Sequence, residues 1–196
     1  MDTLKAEKRN LDIKAKKLRR EGYVTGNVFG REMKESMPIK MEKSAVERLL
    51  KKNNKGSQIM LEVEGQSIDA LIKDIEFNTL KGQVDEIDFQ ALVSNEKVHS
   101  VAEIVLINHE KVNTGVVQQM LHEISYKALP AALIDKVLVD VGDMKAGDSI
   151  KVGELDIAKN ADIELMTDVE TTVATVTEVH NKVDSEEDAE DTSDAE

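Results

Sequence analysis

The chain has 196 residues and a formal net charge of -13, with hydrophobic residues at 40%, aromatics at only 3%, and neither Trp nor Cys. That length accommodates one large or two small domains around an aliphatic core, and the missing Cys excludes disulfides, thiolate metal sites and a cysteine nucleophile. No apolar run approaches the roughly 20 residues of a membrane-spanning helix, and the polar start MDTLKAEKRN has no apolar signal region, so a cytoplasmic protein with no membrane partner is expected.

In chain order, TLKAEKR (3–9) alternates as a first strand. DIKAKKLRREG (12–22) suits a short polar helix or ordered loop closed by Gly22 as a C-cap. VTGNVFG (24–30) returns to β structure, and MPIKMEK (37–43) forms a short strand whose Pro38 fits an edge or a first position. KSAVERLLKKNNKG (43–56) carries the clearest helix. Ser44 and Glu47 have capping-box spacing, and Ala45/Leu49 and Val46/Leu50 lie at i, i+4. Three strands follow, QIMLEVEG (58–65), SIDALIKDIEF (67–77) and QVDEIDFQAL (83–92), the first two joined at Gly65–Gln66 as a hairpin.

VSNEKV (93–98) is a polar connection and the expected boundary. Beyond it VAEIVLI (101–107), GVVQQML (115–121), SYKAL (125–129), KVLVDV (136–141) and TTVATVTEV (171–179) read as strands, with turns at Gly142 and KAGD (145–148). Residues 184–196 hold eight acids in thirteen positions and no large apolar side chain, a composition expected to be disordered. The fold class is therefore mainly β. Residues 1–92 form a small barrel with one or two short helices, 98–183 an all-β domain, and 184–196 an acidic tail.

Charge is unevenly placed. Residues 1–90 carry 18 Lys and Arg against 16 Asp and Glu, whereas residues 91–196 carry 8 against 23. Five cations fall within KAKKLRREG (14–22): Lys14, Lys16, Lys17, Arg19 and Arg20. On a helix Lys16, Arg19 and Arg20 share one side, with Lys17 nearby and Leu18 anchored inward. Such a face suits phosphate, although a Lys-rich helix is equally an ordinary solvated surface.

Other chemistry is thinly represented. His99, His109, His122 and His180 are scattered, so no metal site is expected. Neither a phosphate loop nor a G-x-S-x-G elbow occurs. In VDEIDF (84–89) strict alternation puts Asp85, Ile87 and Phe89 on one face and Val84, Glu86 and Asp88 on the other. Glu86 and Asp88 then lie side by side, a candidate metal or acid–base pair against the plainer reading of a polar strand face.

The order AEKR, KAKKLRREGYVTGNVFG, IKDIEF, DEIDF and GVVQQMLHEISYKALPAALIDKVLVDVGDMKAGDSIKVGEL resembles bacterial large-subunit ribosomal protein twenty-five, in its two-domain form known as the Ctc general stress protein. The resemblance covers nearly the whole chain except the acidic tail. It implies a barrel that binds 5S ribosomal RNA, at an irregular internal loop and the neighbouring minor groove, and a β-rich second domain.

By this resemblance the family's early arginine falls on Arg9, its basic-leucine-arginine segment on Lys17, Leu18, Arg19 and Arg20, and the Asp of its His-x-Asp-Phe strand on Asp88. Three further positions depart from the family's pattern: Phe29 stands for Tyr, Glu86 for His and Glu76 for Gln, and Thr25 replaces a nearby proline. Two added carboxylates repel phosphate. The expected RNA surface comprises Arg9, Lys14, Lys16, Lys17, Arg19, Arg20, Phe29, Glu86 and Asp88, with the cations on phosphates and Asp88 as an acceptor for a base amino group, a 2′-hydroxyl or an arginine.

These readings give a ribosome-associated, non-enzymatic RNA-binding protein. Its partners are 5S ribosomal RNA and neighbouring ribosomal proteins; it needs no cofactor and is monomeric off the ribosome. The rival is a stress-related protein-interaction module that has weakened or lost 5S binding.

Overall fold

Six strands close into a barrel in the computed structural model, which describes residues 2–112 and 115–178. The acidic tail, His180 and the end of the second domain expected to reach 183 lie outside the described residues. The barrel strands are β1 (Thr3–Lys8), β2 (Tyr23–Phe29), β3 (Met37–Glu42), β4 (Gln58–Val63), β5 (Gln66–Asn78) and β6 (Gln83–Ala91). Their order is β1-β3-β2-β6-β5-β4, and a parallel β1–β4 pair, with Leu4 opposite Leu61, closes the circle. The other parallel seam joins β2 to β6.

Inward-facing aliphatics at period two fill the interior. Val28, Ile39, Ile59, Leu61, Ile72, Ile87 and Phe89 are all completely buried. Two helices flank the strands, α1 (Ala15–Arg20) and α2 (Lys43–Leu50). The expected hairpin forms with a two-residue turn at Glu64 and Gly65, whose φ values of 50° and 83° are the positive pair that a type I′ turn requires.

Three local expectations change. Helix α2 starts two residues earlier than the capping box implies: Glu42, not Ser44, is its N-cap, with no side-chain cap bond. The chain passes directly from β3 into α2, and the Lys43 amide donates to the Gly22 carbonyl at 3.0 Å, so a backbone acceptor does the capping. Glu47 instead lies 3.8 Å from Lys43.

Pro38 is the second residue of a strand flanked on both sides, not an edge. Its carbonyl accepts from the Arg9 amide at 2.9 Å where β1 ends, past the last β1–β3 pair, so the missing N–H interrupts no ladder there. In β6 the alternation slips. The β5–β6 register passes from Glu76↔Glu86 to Phe77↔Val84 and leaves Asp85 without a partner. That bulge turns Val84 into the core and Asp85 out of it, reversing the two assignments made from strict alternation.

The second half is all β among the described residues apart from short 3-10 turns. It contains β7 (Val98–Ile107), β8 (Val116–Gln119), β9 (Glu123–Ala128), β10 (Lys136–Asp140), β11 (Ser149–Lys151), β12 (Ile163–Leu165) and β13 (Thr172–Thr177). They form one sheet ordered β10-β7-β9-β12 and another ordered β11-β13-β8. Strands β11 and β12, three residues each, are too short to show a period in the sequence. Tyr126 is fully buried, and its hydroxyl accepts from the Ile134 amide at 2.8 Å and donates to the Ile134 carbonyl at 2.9 Å.

Polar groups join the halves. Ser100 Oγ donates to the Gly56 carbonyl at 3.3 Å, Asn54 Nδ2 to Glu103 Oε2 at 2.6 Å and Lys73 Nζ to the His99 carbonyl at 2.8 Å.

Candidate nucleic-acid interface

Helix α1 is short because little holds it except Leu18, which is 4% exposed and seats it on the barrel. The helix ends where Gly22 adopts a φ of +89°, with the Glu21 amide donating to the carbonyls of Lys17 and Leu18. Lys14, Lys16, Lys17 and Arg20 all project into solvent. Among the described residues the one ion pair in this group is Lys17 with Glu21, at 3.9 Å and well exposed, which adds little to stability.

Arg19 does not share that solvent face. Its side chain is 26% exposed and lies against β6. Nε donates to the Asp85 carbonyl at 3.0 Å, and Nη2 donates to Glu86 Oε2 at 3.2 Å and to Thr25 Oγ1 at 3.4 Å. The bulge explains the difference from the helical-face expectation. Asp85 has left the β5–β6 ladder, so its carbonyl is available to a side chain. The Asp85 carboxylate is held by Asn78 at 3.0 Å and Gln83 at 3.1 Å, and the Asn78 bond is the main reason its pKa falls below the ordinary aspartate value.

Asp88 also has an internal partner. Between the Thr25↔Glu86 and Val28↔Phe89 pairings of β2 with β6, Asp88 Oδ1 accepts from the Asn27 amide at 3.0 Å and from Asn27 Nδ2 at 3.3 Å. The expected acceptor thus bridges the parallel seam, and its partner is an asparagine rather than an arginine. Arg9 Nη2 donates to the Ile13 carbonyl at 3.1 Å, while its buried Nε has no hydrogen-bond partner. Phe29 ends β2 with its side chain 36% exposed.

The outer faces of β5 and β6 bring carboxylates together, Asp74 opposite Asp88 and Glu76 opposite Glu86. Burial first, and then repulsion from Asp88, push the Glu86 carboxyl above the usual glutamate range, against the pull of Arg19. A raised folded-state value favours the protonated form. Its stabilising contribution is complete below the unfolded glutamate value, about 4.3, and is lost as pH rises through the folded value. Glu86→Gln is therefore expected to raise the thermal midpoint at pH 7 and to leave it nearly unchanged at pH 3.5. Melting curves at the two pH values check this, and an equal effect at both would remove the electrostatic cause.

The structure thus joins Arg9, Arg19, Glu86 and Asp88 into one polar face beside α1, with Lys14, Lys16, Lys17 and Arg20 at its rim and Phe29 at its end. Thr25, Asn27 and Asp85, which complete the face, were not among the expected site residues. The apolar spacing Val84, Ile87, Phe89 departs from period two and is the one sequence signal for Asp85, while Thr25 stands out only as the replacement for the family's proline. Glu86 and Asp88 are engaged by Arg19 and Asn27 rather than converging on a reactant. Among the described residues no grouping of His, Asp and Glu could hold a metal ion, and no helix is long and apolar enough to cross a membrane.

Residues 4–89 match the family model described as the Ribosomal L25p family, and residues 97–180 match that described as Ribosomal protein TL5, C-terminal domain. Several curated proteins called Large ribosomal subunit protein bL25 are similar over most of their length. The one from Burkholderia multivorans is 32% identical over 165 residues, covering 81% of this chain and 82% of the relative. That from Halalkalibacterium halodurans is 30% identical over 180 residues, covering 89% and 82%. That from Caldanaerobacter subterraneus is 28% identical over 177 residues, covering 89% and 88%.

Proposed function

From the premise that the chain belongs to the Ribosomal L25p family, we propose that it is a structural, non-enzymatic constituent of the large ribosomal subunit and binds 5S ribosomal RNA through residues 1–92. Residues 98–183 then form a second unit that faces neighbouring ribosomal proteins, and the protein is ribosome-associated in the cytoplasm. The observation that carries the reading is the set of exposed cations on α1 next to a structured polar barrel face, in a chain that is otherwise acidic.

Each residue has a role that follows from its surroundings. Lys14, Lys16, Lys17 and Arg20 have mobile, solvated charges suited to phosphates. Arg9 spends Nη2 on the Ile13 carbonyl and keeps further terminal guanidinium N–H groups for an acceptor on the RNA. Phe29 offers a ring edge or face to a sugar or base. Arg19 and Asp88 hold β6 and β2 in the shape that meets the shallow groove of A-form RNA, which is read largely by form.

The test is binding of the full chain to 5S ribosomal RNA across a salt titration, with transfer RNA as competitor. Selective binding that weakens steeply with salt is expected. Weak binding that transfer RNA displaces equally would overturn the 5S assignment. It would favour a protein-interaction module, to which the facing Glu76 and Glu86 carboxylates point.

A further inference from the structure

The β5–β6 hairpin carries two exposed apolar side chains, Phe77 near the end of β5 at 57% and Leu80 in the turn at 98% exposure. An isolated exposed Leu or Phe is ordinary on a protein surface. Here the aromatic sits on a braced hairpin. The Lys81 amide donates to the Asn78 carbonyl and to Asn78 Oδ1, both at 3.2 Å. Asn78 and Gln83 both grip the Asp85 carboxylate, and Lys43 Nζ donates to Gln83 Oε1 at 2.8 Å. Phe77 pairs across the strands with buried Val84, so its ring stands at the barrel's rim.

The turn is continuous with the RNA face described above. Asp85 links the two, since its carbonyl accepts from Arg19 and its carboxylate accepts from Asn78. Lys81 adds a cation beside it, close enough to stabilise the Asp85 carboxylate. A half-exposed ring on a braced hairpin, with Lys81 on the same turn and the proposed phosphate-binding surface alongside, has the attributes of a platform for an unpaired base. Base–aromatic stacking tolerates any base, and the neighbouring Lys can hold its phosphate.

We propose that Phe77 stacks an unpaired nucleobase of the bound RNA at the tip of the β5–β6 hairpin, extending the interface beyond the α1 side of the barrel. This rests on the RNA-binding reading above. The chain contains no Trp, so Phe77→Trp introduces a single fluorescent reporter at the site.

Titrated with 5S ribosomal RNA, Phe77→Trp is expected to bind as tightly as the unaltered chain, with its emission quenched at saturation. Phe77→Leu keeps the apolar bulk and loses the aromatic face. It is expected to bind roughly tenfold or more weakly at an unchanged salt slope, because stacking releases no counterions. Both variants should melt as the parent does, since the ring is exposed.

Unquenched emission together with full affinity of Phe77→Leu, while the parent still binds RNA, would overturn the stacking role and leave the RNA-binding reading intact. Failure of the parent to bind would overturn both.

Discussion

Gly26→Ala is expected to destabilise the barrel by about 3 kcal/mol or more, the largest stability effect of any single substitution proposed for this chain. A Cβ at position 26 would lie 1.9 Å from the Ile87 carbonyl oxygen and 3.0 Å from its carbon, with Met41 Cε 3.3 Å away. The obstacle is backbone, so no side-chain rotation relieves it. Strand β2 must move away from β6, and the parallel seam between them is already sparse. Next to Gly26 it depends on Asp88 reaching across to the amide and side chain of Asn27.

Widening the seam breaks those two bonds and strands a partly buried carboxylate without donors, which adds a desolvation penalty to the steric one. Gly65→Ala is the control. Gly65 has a φ of +83° and nothing within 4 Å, so only conformational strain is added there, roughly 1 kcal/mol. Chemical denaturation and hydrogen exchange of the β2 and β6 amides would read the difference. A Gly26→Ala protein as stable as Gly65→Ala would mean that the seam is more compliant than its geometry indicates.

The second large effect is on RNA affinity. Replacing Lys16, Lys17 and Arg20 together by Ala should reduce the slope of log affinity against log salt by about 2 to 3, close to one for each lost phosphate contact. Affinity near physiological salt should fall roughly 10- to 100-fold, with little dependence on which RNA sequence is presented. Stability should drop only slightly, through loss of favourable charge near the C-terminus of α1.

Arg19→Ala should behave in the opposite way. Its guanidinium is bound to Asp85, Glu86 and Thr25. Its removal leaves Glu86 raised further toward the protonated form and the Asp85 carbonyl short of a donor. Thermal stability falls, while the salt slope of any remaining binding is kept. A triple variant with an unchanged slope would show that phosphates do not lie on α1. An Arg19→Ala protein that melts normally but loses slope would show that Arg19 leaves β6 to meet the RNA.

These contrasting expectations for neighbouring arginines show how far local pattern reaches. The cation cluster at 14–20, the α2 helix, the Glu64–Gly65 hairpin and the aliphatic alternation of β4 are all visible in the sequence. Each is set by interactions spanning at most a few residues, namely the helical period, the strand period and the conformational freedom of glycine at a turn. Leu18 reads as the inward anchor of α1 for the same reason, and it is buried.

The orientation of Arg19 is of another kind. It depends on Asp85, 66 residues later, and on a bulge that arises only when β6 is laid against β5. Likewise, the need for glycine at position 26 comes from the close approach of β6, and the capping of α2 comes from the Gly22 carbonyl. The closure of β1 on β4 depends on strands more than fifty residues apart meeting in parallel. Parallel pairing has no turn to announce it and a bulge has no period. Such features become fixed only when distant backbone groups, brought together by burial of the aliphatic core, must find hydrogen-bond partners away from water.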